Sequence, residues 1–296
     1  MTSDAMTWTS DDLPDFTGRT VIVTGANSGL GLVAAREFAR VGAHVVLAVR
    51  DTIKGEKAAA SLSGHTDVRR LDLADLSSIR DFARDWSGDI AVLANNAGVM
   101  NVPESRTADG FEMQIGTNHL GHFALTNLLL PHVTDRVVTM SSMMHRSGRI
   151  DLADLNWERR GYNRATAYGQ SKLANLLFSL ELQRKLTAAG STVRSMAAHP
   201  GYAATNLQTR TGNPVFDWGG RIGNKVIAQS AEAGTWPMLF AASQDLPGGS
   251  YVGPDGLNEM RGHPALAGRT ARASDLDVAT KLWDLSAELT GVSFAL

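Results

Sequence analysis

The chain has 296 residues, of which 43% are hydrophobic, and a formal net charge of -2, so it could form one large α/β domain or two small ones and has no basic excess favouring nucleic acid as a partner. It contains no cysteine, which excludes disulfides, thiolate metal sites and cysteine nucleophiles. The acidic N-terminus lacks the apolar run of a signal peptide, and no stretch of about 18 apolar residues predicts a membrane span. A cytoplasmic location is therefore expected.

Short apolar stretches alternate with helical patterns along most of the chain. The apolar stretches predict strands at 20–24, 44–49, 68–71, 90–94, 136–140, 192–198 and 250–252. The patterns between them predict helices at 30–41, 54–62, 76–86, 110–116, 118–130, 167–186 and 231–242. Because strands that alternate with helices pair in parallel, we expect an α/β fold with helices on both faces of the sheet. No linker-like stretch divides the chain, which favours a single domain.

Two segments lie outside this alternation. Residues 143–164 form an insertion between the fifth strand and the helix predicted at 167–186. Residues 203–230 contain several glycines and a proline, which predicts a mobile flap over the substrate. The shapes of these two segments are expected to determine the substrate pocket.

A glycine-rich turn joins the first strand to the first helix. Its glycines stand at positions 25, 29 and 31. Glycines in this setting let the backbone approach a pyrophosphate, whose negative charge the helix N-terminus favours. Since the turn follows a strand and opens a helix, it predicts a dinucleotide cofactor bound by Gly25, Asn27, Ser28, Gly29, Leu30 and Gly31.

The residues after the second strand bear on which dinucleotide binds. Arg50 ends the strand, Asp51 follows it, and Lys54 lies one helical turn further on. An arginine here accommodates the 2′-phosphate of NADP, whereas an acidic residue binds the ribose hydroxyls of NAD. Because a guanidinium both stacks on adenine and binds phosphate, NADP(H) is preferred, with Arg50 and Lys54 as ligands. Asp51 keeps NAD(H) as an alternative.

Two further segments follow strands and are predicted to contact the cofactor. Asp72 and Leu73 follow the third strand, where a carboxylate can accept a hydrogen bond from the adenine amino group. After the fourth strand, small residues and side-chain amides allow close approach to the cofactor ribose. That segment consists of Asn95, Asn96, Ala97 and Gly98.

A second group of residues has the chemistry of a proton-transfer site. Tyr168 and Lys172 are four positions apart, so they share a face of the predicted helix. A nearby ammonium favours the phenolate and would lower the Tyr168 pKa from about 10, which allows proton exchange with an alcohol near neutral pH. Lys172 is also predicted to bind the nicotinamide ribose. Ser142 would hydrogen-bond the substrate oxygen, and Asn118 would hold a water that connects Lys172 to solvent.

Histidines near these residues invite other interpretations. His119 and His122 have a spacing compatible with one helix face, but no adjacent glutamate or third partner completes a metal site with them or with His132. We therefore expect no metal site, and expect these histidines to pack or cap within the helix. His145 follows Ser142 closely and either lines the substrate pocket or lies exposed in a loop.

Together these motifs resemble the short-chain dehydrogenase/reductase family. The resemblance covers about residues 17–255 and leaves an N-terminal extension at 1–16 and a C-terminal tail at 256–296 of the one domain. It implies a single Rossmann domain with a doubly wound, seven-stranded parallel sheet, and a nicotinamide cofactor.

The same resemblance implies roles for individual residues. Ser142, Tyr168 and Lys172 match the catalytic set, assisted by Asn118, and the second serine of the pair Ser141-Ser142 takes the catalytic role by analogy. A further motif is implied to contact the cofactor near the nicotinamide; it comprises Pro200, Gly201 and Thr205.

One feature narrows the resemblance to a branch of the family. Ser142 and Tyr168 are 26 positions apart, which is longer than is usual in the family. This insertion resembles the retinol dehydrogenase and WW-domain oxidoreductase branch, as do residues 49–51, 118–123 and 171–175. The branch implies NADP(H) and lipophilic alcohols or carbonyl compounds. The leading hypothesis is therefore an NADP(H)-dependent oxidoreductase that interconverts an alcohol and a carbonyl group, with a homo-oligomer as one possible assembly.

Two alternatives involve other functions. A non-enzymatic dinucleotide sensor or scaffold could use the same fold, although such proteins usually lack part of the Tyr-Lys-Ser set that is complete here. Reduction of a carbon–carbon double bond fits less well, because the four-residue spacing and the serine pair favour carbonyl chemistry. Light-dependent relatives of that kind use a catalytic cysteine, which this chain lacks.

Overall fold

The fold is built on one extended sheet. The computed structural model describes residues 7–202 and 229–296. The strands in these residues are β1 Thr20–Thr24, β2 His44–Val49, β3 Thr66–Arg70, β4 Ile90–Asn95, β5 Val133–Met140, β6 Arg194–Ala198, β7 Tyr251–Pro254 and β8 Pro264–Leu266. Their order in the sheet is β3-β2-β1-β4-β5-β6-β7-β8. The first seven strands pair in parallel, and β8 pairs antiparallel with β7. The expected Rossmann fold is confirmed, and one short antiparallel strand extends its sheet.

Helices cover both faces of this sheet. Those in the described residues are α1 Gly29–Arg40, α2 Thr52–Ala59, α3 Leu76–Arg84, α4 Met113–Ile115, α5 Gly121–Leu129, α6 Arg164–Ala188, α7 Ala231–Ser243 and α8 Leu276–Thr290. A single π turn, Gly116–Leu120, connects α4 to α5. The strand order reverses between β1 and β4, and in doubly wound sheets a crevice for ligands opens at that point, beyond the carboxyl ends of the strands.

The central strand shows how the sequence fills both faces. Successive side chains of a strand point to opposite sides, and in β1 both sides are buried. Val21 and Val23 pack in the same core cluster as Phe38 of α1 and Met238 of α7, whereas Ile22 packs in the cluster that holds Phe123 of α5. Continuous apolar strands of this kind are expected when helices cover a parallel sheet on both sides.

The C-terminal residues form more structure than the sequence pattern indicated. Neither β8 nor α8 is among the predicted elements, although α8 packs against α6. Trp283 of α8 is buried and stacks on Phe178 of α6, with ring centroids 5.7 Å apart. The missed helix therefore contributes an aromatic side chain to the core beneath the sheet.

The predicted flap and the expectation about membrane spans are considered next. Residues 203–228, which make up most of the predicted flap and include Thr205, lie outside the described residues. Across 7–202 and 229–296, none of the helices combines the length and the apolar character needed to cross a membrane.

Candidate active site

A cleft of about 570 Å³ lies at the carboxyl ends of the central strands. Most of the residues predicted to bind a cofactor or to react line it. They are Gly25, Asn27, Ser28, Gly29, Leu30, Gly31, Arg50, Asp72, Leu73, Asn96, Ala97, Gly98, Tyr168, Lys172 and Pro200. Residues 25–31 and 168–172 are far apart in sequence, so the fold brings the glycine turn and the tyrosine helix to the same cavity.

The N-terminus of α1 faces this cleft with its first-turn N–H groups uncapped. Ser28 occupies the N-cap position but its side chain makes no capping hydrogen bond. Gly29 has a φ of +56°, a conformation that side chains disfavour, and open space surrounds the position of a Cβ. At Gly31 a Cβ would lie 2.5 Å from the Gly25 carbonyl oxygen, so glycine is needed there for the helix to approach the strand. Free N–H groups at a helix N-terminus suit a pyrophosphate.

At the rim of the cleft, Arg50 and Asp51 differ in what they contact. Asp51 caps α2, accepting a hydrogen bond from the Lys54 backbone N–H at 3.1 Å, and its carboxylate lies 2.8 Å from Lys54 Nζ. These bonds from Lys54 lower the pKa of Asp51. Arg50 is exposed and forms no ion pair with any residue that the structure describes. The arginine is therefore available to a ligand, while the carboxylate is already engaged; Lys54 is not a lining residue.

The loops after β3 and β4 present the other predicted cofactor residues. Asp72 lines the cleft and accepts a hydrogen bond from the Ala74 N–H at 3.0 Å. Asn96 donates its side-chain N–H to the Thr24 carbonyl at 2.9 Å, which ties this loop to the end of β1. Asn95 is fully buried and donates to Thr126 Oγ1 at 2.8 Å instead of lining the cleft. A direct contact of Asn95 with a cofactor stays a prediction.

Tyr168 and Lys172 lie side by side on α6, and both are buried. The Lys172 Nζ atom is 5.7 Å from the centre of the Tyr168 ring and donates a hydrogen bond to the Met140 carbonyl at 3.0 Å. The Ser142 hydroxyl accepts a hydrogen bond from the Met144 N–H at 3.2 Å and lies close enough to the Tyr168 phenol to lower its pKa. Ser141 instead donates to the Lys172 carbonyl at 2.8 Å. Of the two serines, Ser142 is thus the one whose hydroxyl influences the tyrosine, although Ser141, and not Ser142, is among the residues that line the cleft.

Burial dominates the ionisation of both groups. It raises the pKa of Tyr168 to about 12, against a smaller lowering by the Ser142 hydroxyl. Burial also lowers the pKa of Lys172 to about 8. The raised pKa of Tyr168 contradicts the prediction from the sequence, which was a value below 10. The physical reason is that a buried phenolate loses hydration, while the ammonium is directed at the Met140 carbonyl and not at the phenol oxygen.

Asn118 sits in the π turn and uses its whole side-chain amide within the protein. Its Oδ1 accepts from the Val99 N–H at 2.8 Å, and its Nδ2 donates to the Val99 carbonyl and to Ser171 Oγ, each at 2.9 Å. π turns of this kind frequently mark functional sites. The amide of Asn118 therefore hydrogen-bonds both the loop after β4 and α6, which is the helix that contains Tyr168. The predicted water on Asn118 stays a prediction.

Two further residues singled out in the sequence are Gly201 and His145. Gly201 is not a lining residue, and a Cβ there would lie 2.5 Å from the Met260 carbonyl oxygen. His145 is buried, and its Nδ1 donates to the Ser142 carbonyl at 2.7 Å. Its burial removes the exposed-loop interpretation, and the bond gives it a supporting contact to Ser142. Proximity in sequence was the one available signal for this contact.

The histidines of the described residues have other partners or lie away from the cleft. His119 hydrogen-bonds Ser286 of α8 at 2.9 Å, so it packs within the protein as expected. Over the described ranges 7–202 and 229–296, one group of three residues has ligand atoms close enough to share an ion, namely His44, His65 and Asp67. These residues lie at the start of β2 and β3, at the edge of the sheet opposite the cleft. His44 there hydrogen-bonds Asp67 at 2.9 Å and stacks on His65.

Comparison with known proteins finds similar sequences over nearly the whole chain. A family model described as short chain dehydrogenase matches residues 19–214. Retinol dehydrogenase 13 of Homo sapiens is 42% identical over 299 aligned residues, covering 93% of this chain and 85% of that protein. Polyprenol dehydrogenase of Mus musculus is 40% identical and covers 94% of this chain and 86% of its own.

Solved structures agree with the sequence comparison. The crystal structure of an uncharacterized protein from Mycobacterium Paratuberculosis has a TM-score of 0.87 and 57% identity, covering 98% of this chain and 99% of that one. A structure assigned as an NAD(P) dependent gluconate 5-dehydrogenase from Beutenbergia cavernae, with NADP bound at low occupancy, has a TM-score of 0.58 and 26% identity, covering 77% and 91%.

The chain belongs to the short-chain dehydrogenase family, in its retinol dehydrogenase-like branch. It is an NAD(P)-dependent oxidoreductase that interconverts an alcohol and a carbonyl group on a small-molecule substrate. The family predicted from the spaced motifs is thereby confirmed.

Proposed function

We propose that the chain is an NADP(H)-dependent oxidoreductase of lipophilic alcohols and carbonyl compounds, with Tyr168, Lys172 and Ser142 as its catalytic residues. The observation that carries the proposal is the shared cleft: a buried tyrosine and lysine line the same cavity as an uncapped helix N-terminus. One end of the cavity suits the diphosphate of a dinucleotide and the other suits proton transfer.

The preference for NADP(H) rests on the contrast between Arg50 and Asp51. Arg50 lines the cleft and has a free guanidinium, which fits a 2′-phosphate by charge and by planar hydrogen bonding. Asp51 is the residue that would favour NAD(H), but its carboxylate is bound to the N–H and the ammonium of Lys54. Asp72 in the next loop also lines the cleft, and its carboxylate would accept a hydrogen bond from the adenine amino group.

The chemistry follows from the protonation states of the buried groups. The nicotinamide cofactor supplies or accepts the hydride. With its pKa raised to about 12, Tyr168 is protonated at neutral pH and can donate its proton to the oxygen of a carbonyl substrate. Ser142, whose hydroxyl lies near the same phenol, would hold that oxygen. A charged Lys172 would favour the phenolate that results, and so assist the return of the proton during alcohol oxidation.

The apolar side chains that line the cleft support a lipophilic substrate. Those beyond the cofactor loops include Val99, Met100, Val102 and Met140. Met144, directly after the serine pair, is 38% exposed. These side chains offer no charge to a polar substrate. Two of the related proteins bear the names retinol dehydrogenase and polyprenol dehydrogenase, which denote apolar alcohols.

The test is oxidation of NADPH with a panel of hydrophobic aldehydes and ketones, by wild-type protein and by Tyr168→Phe. We expect Tyr168→Phe to lower kcat at least about hundredfold, because it removes the proton donor, and to leave the NADPH dissociation constant nearly unchanged. Tyr162→Phe is the matched control, since it removes the same oxygen from a tyrosine bonded to Glu112 outside the cleft. Normal turnover by folded Tyr168→Phe would remove Tyr168 from the mechanism.

The same assay distinguishes an enzyme from the alternative function. Tight NADPH binding with no turnover on any compound of the panel would favour a dinucleotide sensor or scaffold over an enzyme of this substrate class. The expected cytoplasmic location and homo-oligomeric assembly stay predictions.

A further inference from the structure

His122 lies where three motifs of the site meet. It is buried at the start of α5, four residues after Asn118. Its Nδ1 atom is 3.0 Å from the Asn118 carbonyl oxygen, and its Nε2 atom is 2.9 Å from Thr24 Oγ1. Both ring nitrogens therefore have partners, one in the π turn and the other at the end of β1.

The partners determine where the proton of the imidazole lies. A carbonyl oxygen only accepts hydrogen bonds, so His122 Nδ1 must donate to Asn118. Thr24 Oγ1 already accepts from the N–H groups of Asn96 at 3.0 Å and Ala97 at 2.9 Å. Its own hydrogen has two acceptors within reach, the Ala94 carbonyl at 3.4 Å and His122 Nε2 at 2.9 Å, and the shorter contact favours Nε2. Because the two N–H groups already occupy the lone pairs of Thr24 Oγ1, Nε2 is the accepting nitrogen and the ring is neutral and protonated at Nδ1.

The surroundings support the neutral ring. The pKa of His122 is lowered to about 4, chiefly by burial and in part by the nearby charge of Lys172, against a raising by the bond to the Asn118 carbonyl. A second proton, on Nε2, would point at a threonine oxygen whose lone pairs two backbone N–H groups already use. The tautomer is thus set by geometry as well as by the low polarity of the site.

Each side of the imidazole is connected to one half of the cleft. On the Nδ1 side, the Asn118 amide binds Ser171, and Ser171 Oγ donates to the Tyr168 carbonyl at 2.8 Å. On the Nε2 side, Thr24 holds the two N–H groups of the loop that lines the cleft at Asn96 and Ala97. A shift of the ring would therefore move both the helix of the proposed proton donor and a loop of the cofactor site.

We propose that His122 is a positioning residue of the active site: its neutral imidazole, protonated at Nδ1, joins the Asn118 carbonyl to Thr24 and so fixes the catalytic and cofactor halves of the cleft relative to each other. This inference deepens the proposed function and rests on it for the identity of the catalytic half.

The first experiment observes the tautomer in the wild-type protein. Nitrogen NMR of the protein labelled with ¹⁵N-histidine distinguishes protonated from unprotonated ring nitrogens, and the signals of His122 are assigned by their loss in His122→Gln. We expect a ring protonated at Nδ1 that does not titrate between pH 6 and 8, with or without NADPH. A ring protonated at Nε2, or a doubly protonated ring at pH 7, would overturn the proposal.

The second experiment separates the two sides of the ring. Asparagine places its amide near the position of Nδ1, and glutamine places its amide near the position of Nε2. We expect His122→Asn to keep the bond to Asn118, with kcat within about threefold of wild type, but to weaken NADPH binding about tenfold. His122→Gln should keep the bond to Thr24 and bind NADPH within about threefold, while kcat falls about tenfold.

A matched control separates positioning from general loss of stability. Leu129 is fully buried on the same helix and does not line the cleft, so Leu129→Ala should lower the melting temperature while sparing both constants per folded molecule. If the two His122 variants changed kcat and NADPH affinity no more than Leu129→Ala does, His122 would be merely structural. If wild-type protein binds NADPH but reduces no substrate, the proposed function fails, whereas the tautomer and the difference in NADPH affinity still decide the role of His122.

Discussion

The two halves of the cleft prepare their groups for chemistry in opposite ways. On the cofactor side, the N–H groups of α1 lack a side-chain cap and Arg50 is exposed without an ion pair among the described residues. On the catalytic side, Tyr168 and Lys172 are buried, and burial shifts the pKa of both. The cofactor side can bind a ligand because those polar groups have no partner within the described residues. The proposed catalytic side can transfer a proton because its ionisable groups are removed from water. Ligand affinity should depend on the former and turnover on the latter.

The largest effect should come from removing the buried charge. Lys172→Met should lower kcat at least about hundredfold, because it removes the positive charge beside the Tyr168 phenolate. The same change should stabilise the fold at pH 7 by up to about 3 kcal/mol, since the lysine pKa falls from 10.5 to about 8 on burial. Below pH 8 the lysine is charged in both states, so the native state bears the full cost of burying it. The cost disappears as the pH rises from 8 to 10.5.

Urea unfolding of both proteins across this pH range measures the effect. The free energy of unfolding of wild type should rise between pH 8 and 10.5, whereas that of Lys172→Met should lack this rise. A variant that is less stable than wild type at pH 7 would show that Lys172 contributes more through its bond to the Met140 carbonyl than it costs through burial.

On the cofactor side, a carboxylate at the open helix end should have the next largest effect. Gly29→Asp places a negative charge and a Cβ at a φ of +56°, and should weaken NADPH binding about hundredfold or more by repelling the pyrophosphate. Gly18→Asp is the matched control, because Gly18 also has a positive φ, of +76°, and equally open surroundings away from the cleft. Titration of protein fluorescence with NADPH gives both constants. Equal weakening in the two variants would assign the effect to backbone strain.

Arg50→Ala should act on one cofactor only. Loss of a charge-assisted bond to the 2′-phosphate should weaken NADPH binding by about 10- to 100-fold and leave NADH binding unchanged. Competitive titration of the two nucleotides against wild type and variant measures the difference. Equal weakening of both would mean that Arg50 contacts a part of the molecule that the two cofactors share.

The smallest effect should come from the residue beside it. Asp51→Ala removes the cap of α2 and should lower the melting temperature by no more than about 3 °C, with little change in NADH affinity. Differential scanning calorimetry and NADH titration test this together. A marked loss of NADH binding would show instead that the carboxylate leaves Lys54 to bind the ribose.

The two halves also differ in how well the sequence predicts them. The glycine turn and Arg50 lie within one β-α-β unit, so local spacing was sufficient to place them, and the strands at 20–24 and 44–49 match the structure residue for residue. The strand β8 and the helix α8 were missed, because a three-residue edge strand has little pattern and α8 follows the apparent end of the alternation. The spacing of the motifs shared with the family, by contrast, predicted the correct fold and the correct branch of the family.

Electrostatics on the catalytic side could not be predicted from spacing. Two residues four apart on a helix suggested that Lys172 lowers the Tyr168 pKa, but the result depends on burial and on the competing Met140 carbonyl of β5. Likewise, the proposed preference for NADP(H) depends on the engagement of Asp51 as the N-cap of α2, which the spacing of residues does not show. The network at His122 joins residues 24, 96, 97, 118 and 122, and no local pattern connects these positions.

The contact between His119 and Ser286 has a consequence for synthesis on the ribosome. His119 stands beside Asn118 in the π turn, and its ring hydrogen-bonds Ser286 of α8. The chain must therefore be translated past Ser286 before this turn acquires its final packing. A nascent chain could assemble the glycine turn early, yet its catalytic side would be completed among the last steps of folding.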